Sequence, residues 1–199
     1  MRIFDDYRIG MTQSQADIRR NGRKARADLS VVEREHASEI ITLKVVSASW
    51  FRSAEYLACY LPVADEVDTW EIISRAWRLK KRIFVPRCEK NGRMRFIEIT
   101  PESDLKPNRM GIYEPELGDT IAARRLDVVI TPLVAFDRKL NRVGMGGGYF
   151  DRTFSFLGHR NKWQHPKLVG VAFACQEAEE IAPNPWDIRV FSVVTESAR

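Results

Sequence analysis

Leu126-Asp127-Val128-Val129-Ile130-Thr131-Pro132-Leu133-Val134-Ala135 runs into Phe136-Asp137-Arg138-Lys139-Leu140-Asn141-Arg142-Val143, and then into Gly144-Met145-Gly146-Gly147-Gly148-Tyr149-Phe150-Asp151-Arg152. The first ten residues form a nearly continuous apolar run rich in β-branched side chains, the pattern of a strand buried on both faces. Working outward, residues 56–61 (stopped by Pro62), 82–87, 94–99, 168–174 and 190–194 read as further strands. Helical segments lie between and before them. Residues 13–26 are polar and helical, and Ser30 caps a second helix to Ser47 with Glu33 in the capping-box position. Asp68 with Glu71 is expected to cap a third helix carrying Ile72, Ile73, Ala76 and Trp77. Continuous apolar strands alternating with amphipathic helices predict an α/β fold with a mostly parallel central sheet and helices on both faces.

The chain has 199 residues, of which 44% are apolar and 30% charged. That suits one domain, read as 13–199, preceded by an unstructured extension 1–12 in which Met11 is a candidate start. A chain of this length buries about 70% of its unfolded surface, so no disulfide or metal staple is required. No apolar run approaches the ~20 residues that cross a bilayer, and no secretory signal is visible. The net charge is +5, and Arg19, Arg20, Arg23, Lys24 and Arg26 supply all of it. Setting that cluster aside leaves 27 basic against 27 acidic residues, so the basicity is local and argues against a nucleic-acid partner. Cys59, Cys88 and Cys175 sit far apart in apolar contexts, as reduced buried thiols of a cytoplasmic protein would. His36, His159 and His165 lack partners at zinc-ligand spacing.

Four glycines within residues 144–148 cost backbone entropy and leave N–H groups free to face an anion at a strand-to-helix junction. Neither the Walker pattern nor the dinucleotide fingerprint fits, because no Lys-Ser/Thr follows and the glycine spacing fails at Tyr149. Arg142 and Arg152 flank the loop and suit phosphate neutralisation. Asp151 is the informative residue. Beside a polyphosphate a carboxylate is repulsive unless a divalent cation lies between them, so a phosphate-binding loop here predicts Mg²⁺.

On residues 126–137 and 142–152 the sequence resembles the 5-formyltetrahydrofolate cyclo-ligase family in its bacterial form. The basic stretch from Arg19, the segment Leu61 to Thr69, Gly111-Ile112-Tyr113-Glu114-Pro115 and Pro183-Asn184-Pro185-Trp186-Asp187 are similar to further family segments. The resemblance implies a three-layer α/β sandwich that converts 5-formyltetrahydrofolate and ATP into 5,10-methenyltetrahydrofolate, ADP and phosphate with Mg²⁺. It implies ATP contacts at Arg19, Arg142, Val143, Gly144, Met145, Gly146, Gly147, Gly148, Tyr149 and Phe150. It also implies folate contacts at Leu61 and Glu66, and magnesium ligands at Asp151 and Asp187. The implied protein is a cytoplasmic monomer with small-molecule substrates and neither nucleic-acid nor membrane partners. No catalytic acid, base or nucleophile is singled out. The chain departs from the family pattern at Gln15, where Lys or Arg is usual, and at Phe150, where Tyr is usual.

Two other readings compete. An enzyme of similar architecture acting on a phosphorylated sugar would use the glycine loop for the sugar phosphate and Glu66 or Asp137 as general base. A nucleic-acid module would use the 19–26 cluster, but the aromatic residues are interleaved with apolar strands and not with that cluster.

Overall fold

The computed structural model describes residues 13–108, 111–159 and 165–197, so the extension expected at 1–12 lies outside the described residues. The chain opens with helices α1 (Gln15–Ala27), α2 (Val31–Ser47) and α3 (Ser49–Ser53). The Ser30 side chain accepts the Glu33 N–H while Glu33 reaches back to the Ser30 N–H, so the expected capping box is present. Strand β1 (Tyr56–Cys59), helix α4 (Trp70–Arg78), and strands β2 (Arg82–Cys88) and β3 (Met94–Ile99) follow. Short strands β4 (Leu105–Pro107), β5 (Tyr113–Pro115) and β6 (Thr120–Ile121) lead to β7 (Val128–Pro132). The hairpin β8 (Ala135–Phe136) and β9 (Arg142–Val143) then delivers the glycine loop to α5 (Tyr149–Phe154). Strands β10 (Lys167–Val171) and β11 (Ser192–Val194) complete the chain.

The main sheet has the order β11-β10-β7-β1-β2-β3-β6. Its first five strands are parallel, and β3 and β6 add antiparallel pairs at one edge. Side chains alternate across it with period two. Leu57, Ile83, Val128, Ile130 and Val169 face Ile41 and Val45 of α2, Phe51 of α3, and Ile72 and Ile73 of α4. Ala58, Phe84, Phe96, Val129 and Leu168 face the other way, onto Phe154 of α5. Helices therefore cover both faces and the architecture is the expected three-layer α/β sandwich. Among the described residues no helix is long and apolar enough to cross a membrane.

Local chemistry moves several boundaries. The apolar run at 126–135 is two strands and not one. Pro132 has no N–H to continue the ladder, so β7 stops there, and the Val134 N–H turns to the Val143 carbonyl oxygen at 2.8 Å. Thr69, and not Asp68, is the N-cap of α4, although the Asp68 carboxylate still accepts the Trp70 N–H at 2.9 Å. Only Cys59 is buried, with its thiol pushed up to about 12 by desolvation; Cys88 and Cys175 are exposed, against expectation.

The chain leaves β1 toward β2 on one side, while β7, β10 and β11 extend on the other. The strand order thus reverses between β1 and β7, and a crevice opens beyond their C-terminal ends. Prolines mark that end on three adjacent strands: Pro62 follows β1, Pro86 lies in β2, and Pro132 closes β7. The β1–β2 register stops at Ala58↔Phe84, before Pro86. Helix α1 lies across these ends. Ile18 packs with Ala135, Val143 and Ile181, and a Cβ at Gly22 would stand 2.4 Å from the Val134 carbonyl oxygen. Only glycine permits that approach.

Candidate functional site

One cavity of about 1510 Å³ occupies the crevice. Its wall includes every site residue expected from the sequence: Arg19, Leu61, Glu66, Arg142–Asp151 and Asp187. Asp137, the other candidate base, lies elsewhere. It is 1% exposed, and its carboxylate accepts from the N–H groups of Lys139, Asn141 and Ile181 and from the Asn141 side chain. It is a structural hub of the β8–β9 turn.

The glycine loop reads as an anion cradle in its hydrogen bonding. Among the described residues none of the N–H groups of 144–148 donates a hydrogen bond. Gly146 (φ +96°) and Gly148 (φ +63°) hold backbone conformations that favour glycine. The Arg19 Nε donates to the Gly144 carbonyl oxygen at 2.7 Å, and Arg152 ties the Gly147 carbonyl oxygen to that of Gly92. Arg152 thus braces the loop. Helix α5 has only 6 residues, so its dipole is small and the loop amides and nearby arginines carry the positive potential.

Arg142 is the inner arginine. Its side chain is 5% exposed and donates from Nη2 to Asp151 Oδ1 at 2.8 Å, with its guanidinium 5.7 Å from the Phe150 ring centre. Its Nε is buried with no partner, as is the Nε of Arg26. Buried orphan donors are uncommon and call for an acceptor. Two of them on the wall of one cavity suit an anionic ligand.

Asp151 Oδ1 also accepts the Ile188 N–H at 3.1 Å, which places the carboxylate beside the segment carrying Asp187. Asp187 Oδ2 accepts the Asn184 N–H at 2.8 Å and the Gln15 side-chain amide at 2.8 Å. Among the described residues Asp151 Oδ2 and Asp187 Oδ1 take no hydrogen bond. No group of three or more His, Cys, Asp or Glu side chains is placed to hold a metal among the described residues. Two carboxylates with one free oxygen each fit Mg²⁺ only where phosphate oxygens and water complete the shell.

At the other end, Leu61 is 7% exposed just past β1, and the Glu66 side chain is 10% exposed. Glu66 Oε1 lies 3.6 Å from Arg26 Nη1 and Oε2 accepts the Val63 N–H at 3.3 Å. Burial raises the Glu66 carboxyl above its ordinary 4.5, with the Arg26 charge opposing. Arg26 also donates to Asp65 at 2.9 Å. Arg26 is therefore no solvated member of a basic face. It is a buried cation serving two carboxylates.

Residues 11–196 match the 5-formyltetrahydrofolate cyclo-ligase family. The chain belongs to this family. A cyclo-ligase of Haemophilus influenzae is 32% identical over 189 residues, covering 92% of this chain and 98% of that protein. One from Escherichia coli K12 is 41% identical over 150 residues, covering 72% of this chain and 79% of that one. The NMR structure of Aquifex aeolicus 5,10-methenyltetrahydrofolate synthetase superposes with a TM-score of 0.79 at 29% identity, covering 92% of this chain and 90% of that chain. The chain is thus an enzyme with 5-formyltetrahydrofolate cyclo-ligase activity.

Sequence reasoning missed three parts of the cyclo-ligase cavity. Gln15, which stands where the family usually carries a cation, donates to Asp187 and to the Ala182 carbonyl oxygen. Arg23 lines the cavity, and so does Trp186, 67% exposed. A signal for the first two existed: 15, 19, 23 and 26 fall on one stripe of a 3.6-residue helix. Arg20, in the same cluster, points elsewhere and pairs with Asp17.

Proposed function

We propose that this cyclo-ligase uses ATP and Mg²⁺, and that the crevice cavity holds both substrates with the γ-phosphate against the formyl group. The observation that supports this is one continuous wall: undonated amides and the orphan Arg142 N–H at one end, and a half-neutralised buried carboxylate at the other.

The amides of 144–148, with Arg19 and Arg142, grip the triphosphate tail. Asp151 and Asp187 would hold Mg²⁺, which when bound offsets phosphate charge as the γ-phosphoryl transfers. Leu61 packs on the folate ring system, and Glu66 accepts hydrogen bonds from the pterin amino group and ring N–H. The formyl oxygen attacks the γ-phosphorus, the bond to the β,γ-bridging oxygen breaks, and ADP leaves. N10 then attacks the activated formyl carbon, the carbon–oxygen bond breaks, phosphate departs, and N10 gives up its proton. The chain's contribution is placement and charge.

Purified protein with 5-formyltetrahydrofolate, ATP and Mg²⁺ is expected to raise the methenyl absorbance and release ADP in equal amount. An absorbance that stays flat, or that rises equally without ATP, overturns the reading. Glu66→Gln is expected to raise the folate KM about 10–100-fold, with ATP binding unchanged, because one of the two acceptor oxygens offered to the pterin donors becomes an NH₂ group and the charge is lost. Protonation removes the same acceptor. In the wild type, folate KM therefore climbs as the pH falls, beginning above the ordinary carboxylate value of 4.5 because burial raises the Glu66 pKa. A folate KM that is flat from pH 7 to 4.5 would detach Glu66 from the pterin.

A further inference from the structure

The α1 stripe carries four polar side chains onto the cavity wall: Gln15, Arg19, Arg23 and Arg26. Three are anchored. Gln15 is bonded to Asp187 at 2.8 Å, Arg19 to the Gly144 carbonyl oxygen at 2.7 Å, and Arg26 to Asp65 at 2.9 Å. Arg23 has no ion pair or side-chain hydrogen bond among the described residues. At about 1.5 Å per residue it stands ~6 Å along the helix from Arg19 and ~4.5 Å from Arg26. Its neighbours on the stripe thus serve the two ends of the cavity, the glycine loop and Glu66.

We infer that Arg23 is a catalytic residue whose guanidinium contacts the transferring phosphoryl group; the inference rests on the substrate placement proposed above. The phosphoryl must pass from a triphosphate held near Arg19 to a formyl oxygen on a pterin held near Arg26. The group midway between those anchors meets it in transit. In a loose phosphoryl transfer the charge spreads over three equatorial oxygens, and a planar two-pronged donor matches two of them. Arg19 has one N–H committed to the loop, whereas Arg23 has its full fork available. The same contact serves the second step, where the carbon–oxygen bond breaks and the phosphate leaves with that electron pair. A group engaged chiefly with the moving phosphoryl stabilises the transition state more than either bound substrate, so its loss falls on kcat.

The test compares Arg23→Ala and Arg23→Lys with the wild type, and with Arg20→Ala as a control outside the cavity. Arg23→Ala is expected to lower kcat about 10²–10³-fold, in line with the loss of one transition-state donor. Both KM values should move less than about 5-fold, and affinity for a non-hydrolysable ATP analogue should be unchanged. Arg23→Lys should recover part of kcat, since it restores charge without the fork. Added guanidinium chloride at tens of millimolar should raise turnover of Arg23→Ala and leave the wild type no faster. Because Arg23 is exposed on α1, the melting temperature of Arg23→Ala should match that of the wild type. Wild-type kcat in Arg23→Ala overturns the inference. So does a defect confined to the ATP KM, which would make Arg23 a ground-state binder, or a low kcat that guanidinium leaves untouched. A wild-type enzyme without ATP-dependent turnover would instead sink the placement on which the inference rests.

Discussion

Asp151→Asn is expected to lower kcat about 10²–10³-fold at millimolar Mg²⁺ while the far-ultraviolet circular dichroism stays that of the wild type. Asparagine keeps a carbonyl oxygen for the Ile188 N–H and for Arg142, so both hydrogen bonds of Oδ1 persist. What disappears is the charge. A neutral amide is a poor partner for Mg²⁺, which is held by carboxylates and phosphate oxygens. The charge also answers Arg142, whose side chain is 5% exposed. Without that counter-charge the buried guanidinium is left uncompensated, so the ligand-free variant should melt several degrees lower. Saturating nucleotide should close part of that gap, because phosphate then faces the arginine. Near-normal rates at limiting Mg²⁺ would remove Asp151 from the metal.

Gly146→Val is expected to raise the ATP KM at least about 10-fold and to weaken a non-hydrolysable analogue equally in calorimetry. Gly146 has φ +96°, which a β-branched residue does not adopt without strain, and its Cβ would sit 3.6 Å from the Arg19 guanidinium carbon. The loop must re-form, and its free amides lose their common direction. Gly144→Ala is the contrast: its Cβ would meet nothing nearer than Arg142 Nη1 at 3.9 Å, so ATP affinity should hold. If Gly146→Val bound the analogue normally, the amides of 144–148 would not be the cradle.

The layers of the fold were legible because burial on both faces leaves a continuous apolar signature, as in β7, and because the Ser30–Glu33 capping box is local chemistry. The glycine loop and Asp151 were legible as part of the cavity wall for the same reason: four glycines in five positions mark a special backbone locally. The β8–β9 hairpin was not, since Leu133-Val134-Ala135 continues the apolar composition of β7 while Pro132 ends its ladder. Asp187 carries no local sign that it lines the cavity, because the nearness of its segment to Asp151 depends on the Ile188 N–H closing across the fold. The burial of Arg26 was illegible for a related reason. A charge within a basic run reads as solvated, and only the docking of α1 reveals Asp65 and Glu66 waiting for it.

The three prolines at the crevice end of the sheet set its shape before any ligand arrives. A residue without an amide hydrogen donates no ladder bond, so β7, β1 and β2 offer one another no amide at these three positions. Part of the crevice's outline is thus written into covalent structure.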